Sequence, residues 1–365
     1  MIVRKFNNVG NALFVVEKIG NKTFVYDCGR EKGYIPTAAI HSSFAKGEEI
    51  EAVFISHYDS DHINGIYDLL KYCNVKRLIL PMMSDAIRFL LLILQRYETN
   101  LEGFIINTEE YVQSISPDTK ISYVYDNRED NRQSVPQTRS FESVSGMNAN
   151  FSTGTRLISE QLIDWVFIPM CIRILSPEEE TDFIDELYNL LGIPLSKRCT
   201  VKELWETYNL CHGKEGEITS GGRTRNKIKN ALKKIFPKGL KKKINEYSQT
   251  LYSGPMDCTN SDKRGCLYLG DYNAKIHWNE LNITYGAYAN NIKIIQIPHH
   301  GSEKSFNKNI INAGTISVIS AALDGDIAMG NTISNIANRH STALVTASVG
   351  DIYIYSCGNT AILFP

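Results

Sequence analysis

Long apolar runs are missing from this chain: the longest unbroken one, Phe89 to Leu94, falls far short of the ~20 residues a membrane-spanning helix needs. The opening residues, Met1-Ile2-Val3-Arg4-Lys5-Phe6, lack the apolar core and small-residue cleavage site of a secretory leader, so a cytoplasmic location and no membrane partner are expected. The eight cysteines form no Cys-x-x-Cys pair, which in 365 residues excludes a small disulfide scaffold and points to reduced thiols. Charge of one sign is not in excess either: 39 Lys+Arg face 40 Asp+Glu, a formal net charge of −1. No repeat of solenoid type occurs. With 43% hydrophobic and 22% charged residues, the composition excludes a collagen-like, coiled-coil or globally disordered chain. The length suits one large domain or two ordinary ones.

The first ninety residues alternate short apolar strands with turns. Asn11–Val16 and Thr23–Asp27 flank Ile19-Gly20-Asn21-Lys22, a hairpin signal. Ala52–Ser56 reads as a buried strand, Ile66–Tyr72 as an amphipathic helix, Arg77–Leu80 as a strand, and Asp85 to Tyr97 as a helix. Residues 127–160 are rich in Asn, Ser, Arg and Gly, and a long loop is expected there. Glu178-Glu179-Glu180 opens a helix running to Leu191, its acids suiting a helix N-terminus. Strand patterns resume after Asn245, at 250–252, 266–269, 292–297, 317–320 and 351–355. The pattern is an α/β module split by a largely helical insertion.

The strongest chemical signal is His57-Tyr58-Asp59-Ser60-Asp61-His62, four metal-ligand side chains in six residues directly after a buried strand. A lone histidine in a polar loop is usually just solvated. Alternating imidazoles and carboxylates at a strand end can instead converge on Zn²⁺ or Mn²⁺. Two later segments repeat the design: Leu267-Tyr268-Leu269-Gly270-Asp271, where glycine leaves room for the carboxylate to reach out of the sheet edge, and Ile297-Pro298-His299-His300-Gly301-Ser302, a strand stopped by proline before a histidine pair. Three apolar strands, each tipped with His or Asp, point to a binuclear site.

These motifs resemble the metallo-β-lactamase fold superfamily, and within it the cytosolic hydrolase domain of ComEC-type DNA-uptake proteins: a Ser-His-x-Asp-x-Asp-His loop at Ser56–His62, Leu-x-Gly-Asp at the strand end before Asp271, and Pro-His-His-Gly-Ser at Pro298–Ser302. Weaker echoes are Gly10, Asp27-Cys28-Gly29, Asn245–Ser248 and Asn338-Arg339-His340-Ser341. The resemblance implies an αββα sandwich, its halves at 1–100 and 245–365, interrupted by an insertion at 101–244. It further implies two divalent ions, His57 and Asp59 holding one, Asp61 and His62 the other. Asp271 would bridge them, and His299, His300 or His340 would complete the shell. Two such ions share a water and present hydroxide as the nucleophile, with Asp61 essential to turnover. His340 would either be structural or serve as general acid. A carboxylate at Asp59, where a histidine is usual, makes that half-site harder and favours Mn²⁺ more than an all-imidazole site would. Asn64 and Ser341 also depart from the pattern. His212 sits in Leu210-Cys211-His212-Gly213, which reads as a helix end and not a ligand.

Between Arg223 and Lys243 stand ten bases and no acid, including Arg223, Arg225, Lys241, Lys242 and Lys243. Such a run can track a phosphodiester backbone, so nucleic acid is the expected partner; a docking surface for a protein is the other use of a basic insertion. Ser302 and Lys304 are the candidates to touch a substrate phosphate. The expected activity is a metal-dependent phosphodiesterase or nuclease. The alternatives are a small-molecule hydrolase acting on a lactone, thioester or nucleotide derivative, and a metal-bound interaction module, which has little need of so complete a ligand set.

Overall fold

Alternation of large apolar residues builds two sheets that share one core. The computed structural model describes residues 1–31, 36–94, 99–127, 137–143, 149–173, 175–212, 228, 230, 248–257, 264–322, 327–357 and 360–364. It divides into two compact units: one of Met1–Met82, Ile115–Ile172 and Tyr247–Pro365, the other of Met83–Ser114 and Arg173–Glu246.

The strands of the first unit, in chain order, are β1 (Ile2–Phe6), β2 (Phe14–Ile19), β3 (Lys22–Cys28), β4 (Glu49–Ile50), β5 (Ala52–Phe54), β6 (Asn74–Val75), β7 (Arg77–Pro81), β8 (Lys120–Tyr125), β9 (Thr138–Ser140) and β10 (Phe151–Ser152). They continue with β11 (Arg156–Ile158), β12 (Trp165–Met170), β13 (Thr250–Pro255), β14 (Gly265–Tyr268), β15 (Ile292–Gln296), β16 (Ile316–Ile319), β17 (Thr342–Val345), β18 (Ile352–Cys357) and β19 (Thr360–Phe364). One sheet runs β10-β8-β7-β5-β3-β2-β1-β18-β19, the other β17-β16-β15-β14-β13-β12-β11-β9, and β4 pairs with β6. In the first sheet β3, β5, β7 and β8 are parallel; in the second, β14 to β17 are parallel and β13 runs against them.

Phe24, Tyr26, Phe54 and Ile79 of the first sheet face Phe167, Leu251, Tyr268, Ile294 and Val318 of the second. The Phe24 and Phe167 rings lie 4.2 Å apart and those of Tyr26 and Tyr268 5.0 Å. Because side chains alternate along a strand, Val25, Val53 and Leu78 turn outward, and they too are buried. The crossovers between β3, β5 and β7 lay the helices Thr37–Ser43 and Ile66–Tyr72 over that outer face. The helices Trp278–Tyr285 and Ile327–Ala337 serve the second sheet in the same way. The result is an αββα sandwich.

The expected insertion at 101–244 is redrawn. Residues 115–172 join the sandwich through β8 to β12, and the helical unit begins earlier, at Met83. The stretch expected as a long loop contains β9, β10 and β11, whose two- and three-residue lengths are too short to show a period. The helical unit comprises Asp85–Leu94, Thr99–Ile106, most of Thr108–Ile115, Pro177–Leu191 and Val201–His212. Phe89 packs there edge-on against Trp205 and Tyr208. The acids after Ser176 do start a helix: Ser176 and Glu179 form a capping box with Pro177 at the first position. His212 is the last residue of its helix, as its sequence suggests. Among the described residues, no helix is long and apolar enough to cross a membrane.

Candidate metal centre

Strands that run parallel release their chains at the same edge, and that edge collects the motifs. β3 carries Asp27 one residue before its end, β5 leads into the 56–62 loop, β14 into Gly270-Asp271 and β15 into His299-His300. Antiparallel β13 begins at this edge, which brings Ser248 and Gln249 alongside.

The seven expected ligands meet there. His57 Nε2 stands 3.9 Å from both Asp59 Oδ2 and Asp271 Oδ2. His62 Nε2 is 3.7 Å from Asp61 Oδ2 and 3.4 Å from Asp271 Oδ1. His300 Nε2 is 3.4 Å from Asp61 Oδ2 and 3.8 Å from Asp271 Oδ1, and His299 Nδ1 is 3.4 Å from Asp271 Oδ2. Asp271 thus turns one oxygen to each half. The tightest groups are His57-His62-Asp271 and Asp61-His62-His300, with donor atoms inside 4.8 Å of one another. Asp59 and His299 stand outside those two groups.

Backbone geometry aims these side chains. Gly270 has φ +52°, and a Cβ there would stand 2.5 Å from Ser56 Cβ; a glycine is required. Gln296 holds that turn, its Oε1 accepting from the N–H groups of Leu269 and Gly270 at 2.7 Å each. Asp27, His299 and His300 all adopt positive φ, which costs an L-residue about 1–2 kcal/mol apiece. A Cβ on Gly29 would strike the Asp61 carbonyl, so the turn after β3 packs flat against the ligand loop. Asn64, which departs from the resemblance, exchanges hydrogen bonds with the Arg30 backbone at 2.9 and 2.8 Å.

Behind the ligands lies a shell that the motifs only hinted at. His62 Nδ1 donates to Asp27 Oδ2 at 2.7 Å, and His300 Nδ1 to the Ser320 carbonyl at 2.9 Å. Ser56 Oγ sits 2.7 Å from Asp27 Oδ2 and 2.9 Å from His57 Nδ1. Ser248 Oγ accepts the Asp271 N–H at 3.2 Å. Asp27 and Ser248 belong to the weak echoes; nothing in the sequence marked Gln296 or Ser320. With each Nδ1 engaged, the Nε2 atoms of His57, His62 and His300 point into the cluster, buried and without a hydrogen-bond partner.

Charge follows the same division. Burial alone would raise the Asp61 carboxyl, but His62 and His300 bring it down to about 2. Burial likewise opposes the Asp271 anion, and the surrounding histidines hold it well below the usual range. Burial disfavours a charged His62, yet Asp27, Asp271 and Asp61 raise it well above an ordinary histidine. His300 is raised against burial by Asp271 and Asp61, whereas burial and the neighbouring His62 lower His57.

His340 is not part of this centre. It is exposed at the beginning of β17, its carbonyl accepting from Gly314 ahead of β16, at the opposite edge of the parallel strands. Ser302 and Lys304 lie in the turn after His300, half-buried and exposed respectively. Arg223, Arg225, Lys241, Lys242 and Lys243 lie outside the described residues.

Residues 7–82 match the family model of the metallo-beta-lactamase superfamily. The fold is that of a metallo-beta-lactamase domain. The matched stretch carries the β3 turn and the whole His57–His62 loop; Asp271, His299 and His300 come from beyond it. No curated protein matches the sequence. Solved structures that align along the chain include the metallo-beta-lactamase fold protein YhfI from Bacillus subtilis, at 8% identity, 100% of both chains and TM-score 0.38. Human tRNase Z, short form, aligns at 11% identity over 94% of this chain and 85% of its own, TM-score 0.32. A diphosphatase from the PhnP family aligns at 8% identity over 95% and 87%, TM-score 0.33.

Proposed function

We propose that this metallo-beta-lactamase domain is a divalent-metal-dependent phosphodiesterase that cleaves nucleic acid. The observation that carries the metal is the convergence of three buried, unpartnered imidazole Nε2 atoms with the carboxylates of Asp59, Asp61 and Asp271. Each buried polar atom left unsatisfied costs about 1–3 kcal/mol, and a cation would satisfy all three. His57, Asp59 and Asp271 would hold one ion; Asp61, His62, His300 and Asp271 the other. Mixed imidazole and carboxylate donors suit Zn²⁺ or Mn²⁺. When bound, two such ions supply Lewis acidity and a water of lowered pKa.

The chain's own side chains do the rest. Asp271 keeps the two halves in register. His299, its side chain 39% exposed where the other three histidines are covered, would hand a proton to the leaving oxygen, a role for which His340 was one of two readings. Ser302 and Lys304 follow at the rim, to meet a phosphate oxygen. The ten bases from Arg223 to Lys243 favour a polyanion as substrate, and the ComEC-type motif spacing leans the same way.

The test is metal-stripped protein incubated with single- and double-stranded DNA and RNA, Mn²⁺ or Zn²⁺ restored, beside Asp61→Ala. Cleavage should need metal and vanish in the variant. Cleavage surviving Asp61→Ala overturns the assignment, and metal uptake with turnover of small esters alone would make this a small-molecule hydrolase.

A further inference from the structure

We propose that Ser56 is the positioning residue through which one buried carboxylate, Asp27, sets the tautomer of histidines in both halves of the centre, an inference that rests on the metal-binding reading above. Ser56 is fully buried, and its Oγ lies 2.7 Å from Asp27 Oδ2, 2.9 Å from His57 Nδ1 and 3.2 Å from His62 Nδ1. A hydroxyl has one proton to give and two lone pairs to offer. Asp27 Oδ2 can only accept, so it takes the hydroxyl proton. Ser56 Oγ therefore faces His57 as an acceptor, and the proton of that imidazole belongs on Nδ1.

His62 Nδ1 stands 2.7 Å from the same carboxylate oxygen and carries its proton for the same reason. The other oxygen, Oδ1, accepts the Ser56 backbone N–H at 2.7 Å, which stops the carboxylate from turning away. Proton order thus runs from His57 to Ser56 to Asp27, and from His62 to Asp27 directly. Both Nε2 atoms are left with lone pairs facing Asp271, free to take a metal ion. Ser248 Oγ, 3.3 Å from His57 Nδ1, is the competing acceptor, but it is more distant and already takes the Asp271 N–H. Asp27 hydrogen-bonds toward His57 through Ser56, so removing the hydroxyl should loosen one half-site and removing the carboxylate both. Outer partners of this kind typically affect metal affinity 10–100-fold.

Zinc titration of the metal-stripped protein against a chromophoric chelator reads the two affinities. The imidazole N–H resonances of ¹⁵N-histidine-labelled, zinc-loaded protein read the tautomers. Ser56→Ala should lose or shift the His57 Nδ1–H signal, leave those of His62 and His300, and weaken one zinc step by about 10–100-fold. Asp27→Asn should disturb His57 and His62 together and weaken both steps, while Ser248→Ala should leave the His57 Nδ1–H signal in place. Wild-type affinities in Ser56→Ala, equal loss at both steps, or loss of the His57 Nδ1–H signal in Ser248→Ala overturns the proposal. Should Ser56→Ala fail to fold, Asp27→Asn decides, because an unmoved His57 resonance in that variant is incompatible with the relay. A wild-type chain that takes up no zinc would instead bring down the metal-binding reading itself.

Discussion

His299 and His300 are sequence neighbours with the same backbone twist, φ 51° each, yet they present different nitrogens to the cluster. His300 has its Nδ1 tied to Ser320 and offers Nε2; His299 offers Nδ1 from a half-exposed position. His299→Gln should therefore lower kcat by about 10²–10⁴ with metal content unchanged, as loss of a general acid does. Loss of a metal ion in that variant would make His299 a ligand. His340→Gln should leave kcat and metal content alone. The motif text could not separate these histidines, because which edge of a sheet a residue occupies depends on strand direction. Gly270 was legible from the Gly-Asp at its strand end, although the crowding that demands it comes from Ser56, far away in the chain. Gly270→Ala forces a Cβ onto Ser56 and strains the backbone by about 1–2 kcal/mol. Chemical denaturation should show at least that loss, and zinc titration a weakened site, since Ser56 and Asp271 both adjoin the turn.

Elements were readable wherever burial and period agreed. Ile66–Tyr72 is a helix over the stretch its apolar spacing marks, and the tips of β5, β14 and β15 carry the candidate ligands the motifs named. β1 escaped notice because Arg4 and Lys5 interrupt its apolar pattern, yet both are buried. Arg4 lies directly opposite Glu17 on β2, with Nη2 and Oε1 2.6 Å apart, and its guanidinium stands 5.7 Å from the Trp165 ring centre. Burial pushes the Glu17 carboxyl up while Arg4 pulls it down, and that opposition is what a buried ion pair must withstand. Breaking one side of it leaves an uncompensated charge, so Glu17→Gln should cost about 3–5 kcal/mol in urea denaturation. Replacing both, as Arg4→Met with Glu17→Leu, should recover most of that loss. A double variant as unstable as the single one would show that the pair supports the fold beyond its own charges.

At the scale of the whole molecule, the sequence showed that a helical segment interrupts a sandwich but misplaced its edges. Trp165–Met170 is buried throughout and supplies a strand of the second sheet, but a proline within it and the Asn- and Ser-rich stretch before it hid the pattern. Charge distribution stayed legible at this scale. A net charge of −1 spread evenly would give a polyanion no reason to approach, whereas ten bases gathered between Arg223 and Lys243 with no acid among them would. If that run follows a phosphodiester backbone, each lysine that meets a phosphate releases counterions and contributes about 0.9 to the slope of log affinity against log salt on duplex DNA. Converting Lys241, Lys242 and Lys243 to Gln should therefore weaken DNA binding most at low salt and flatten that slope. Turnover of bis-p-nitrophenyl phosphate, which is too small to reach beyond the centre, should stay the same. Fluorescence anisotropy at several salt concentrations beside a steady-state assay separates the two effects. An unchanged slope, or equal loss on both substrates, would detach the basic run from substrate binding and leave the metal centre to choose its substrate alone.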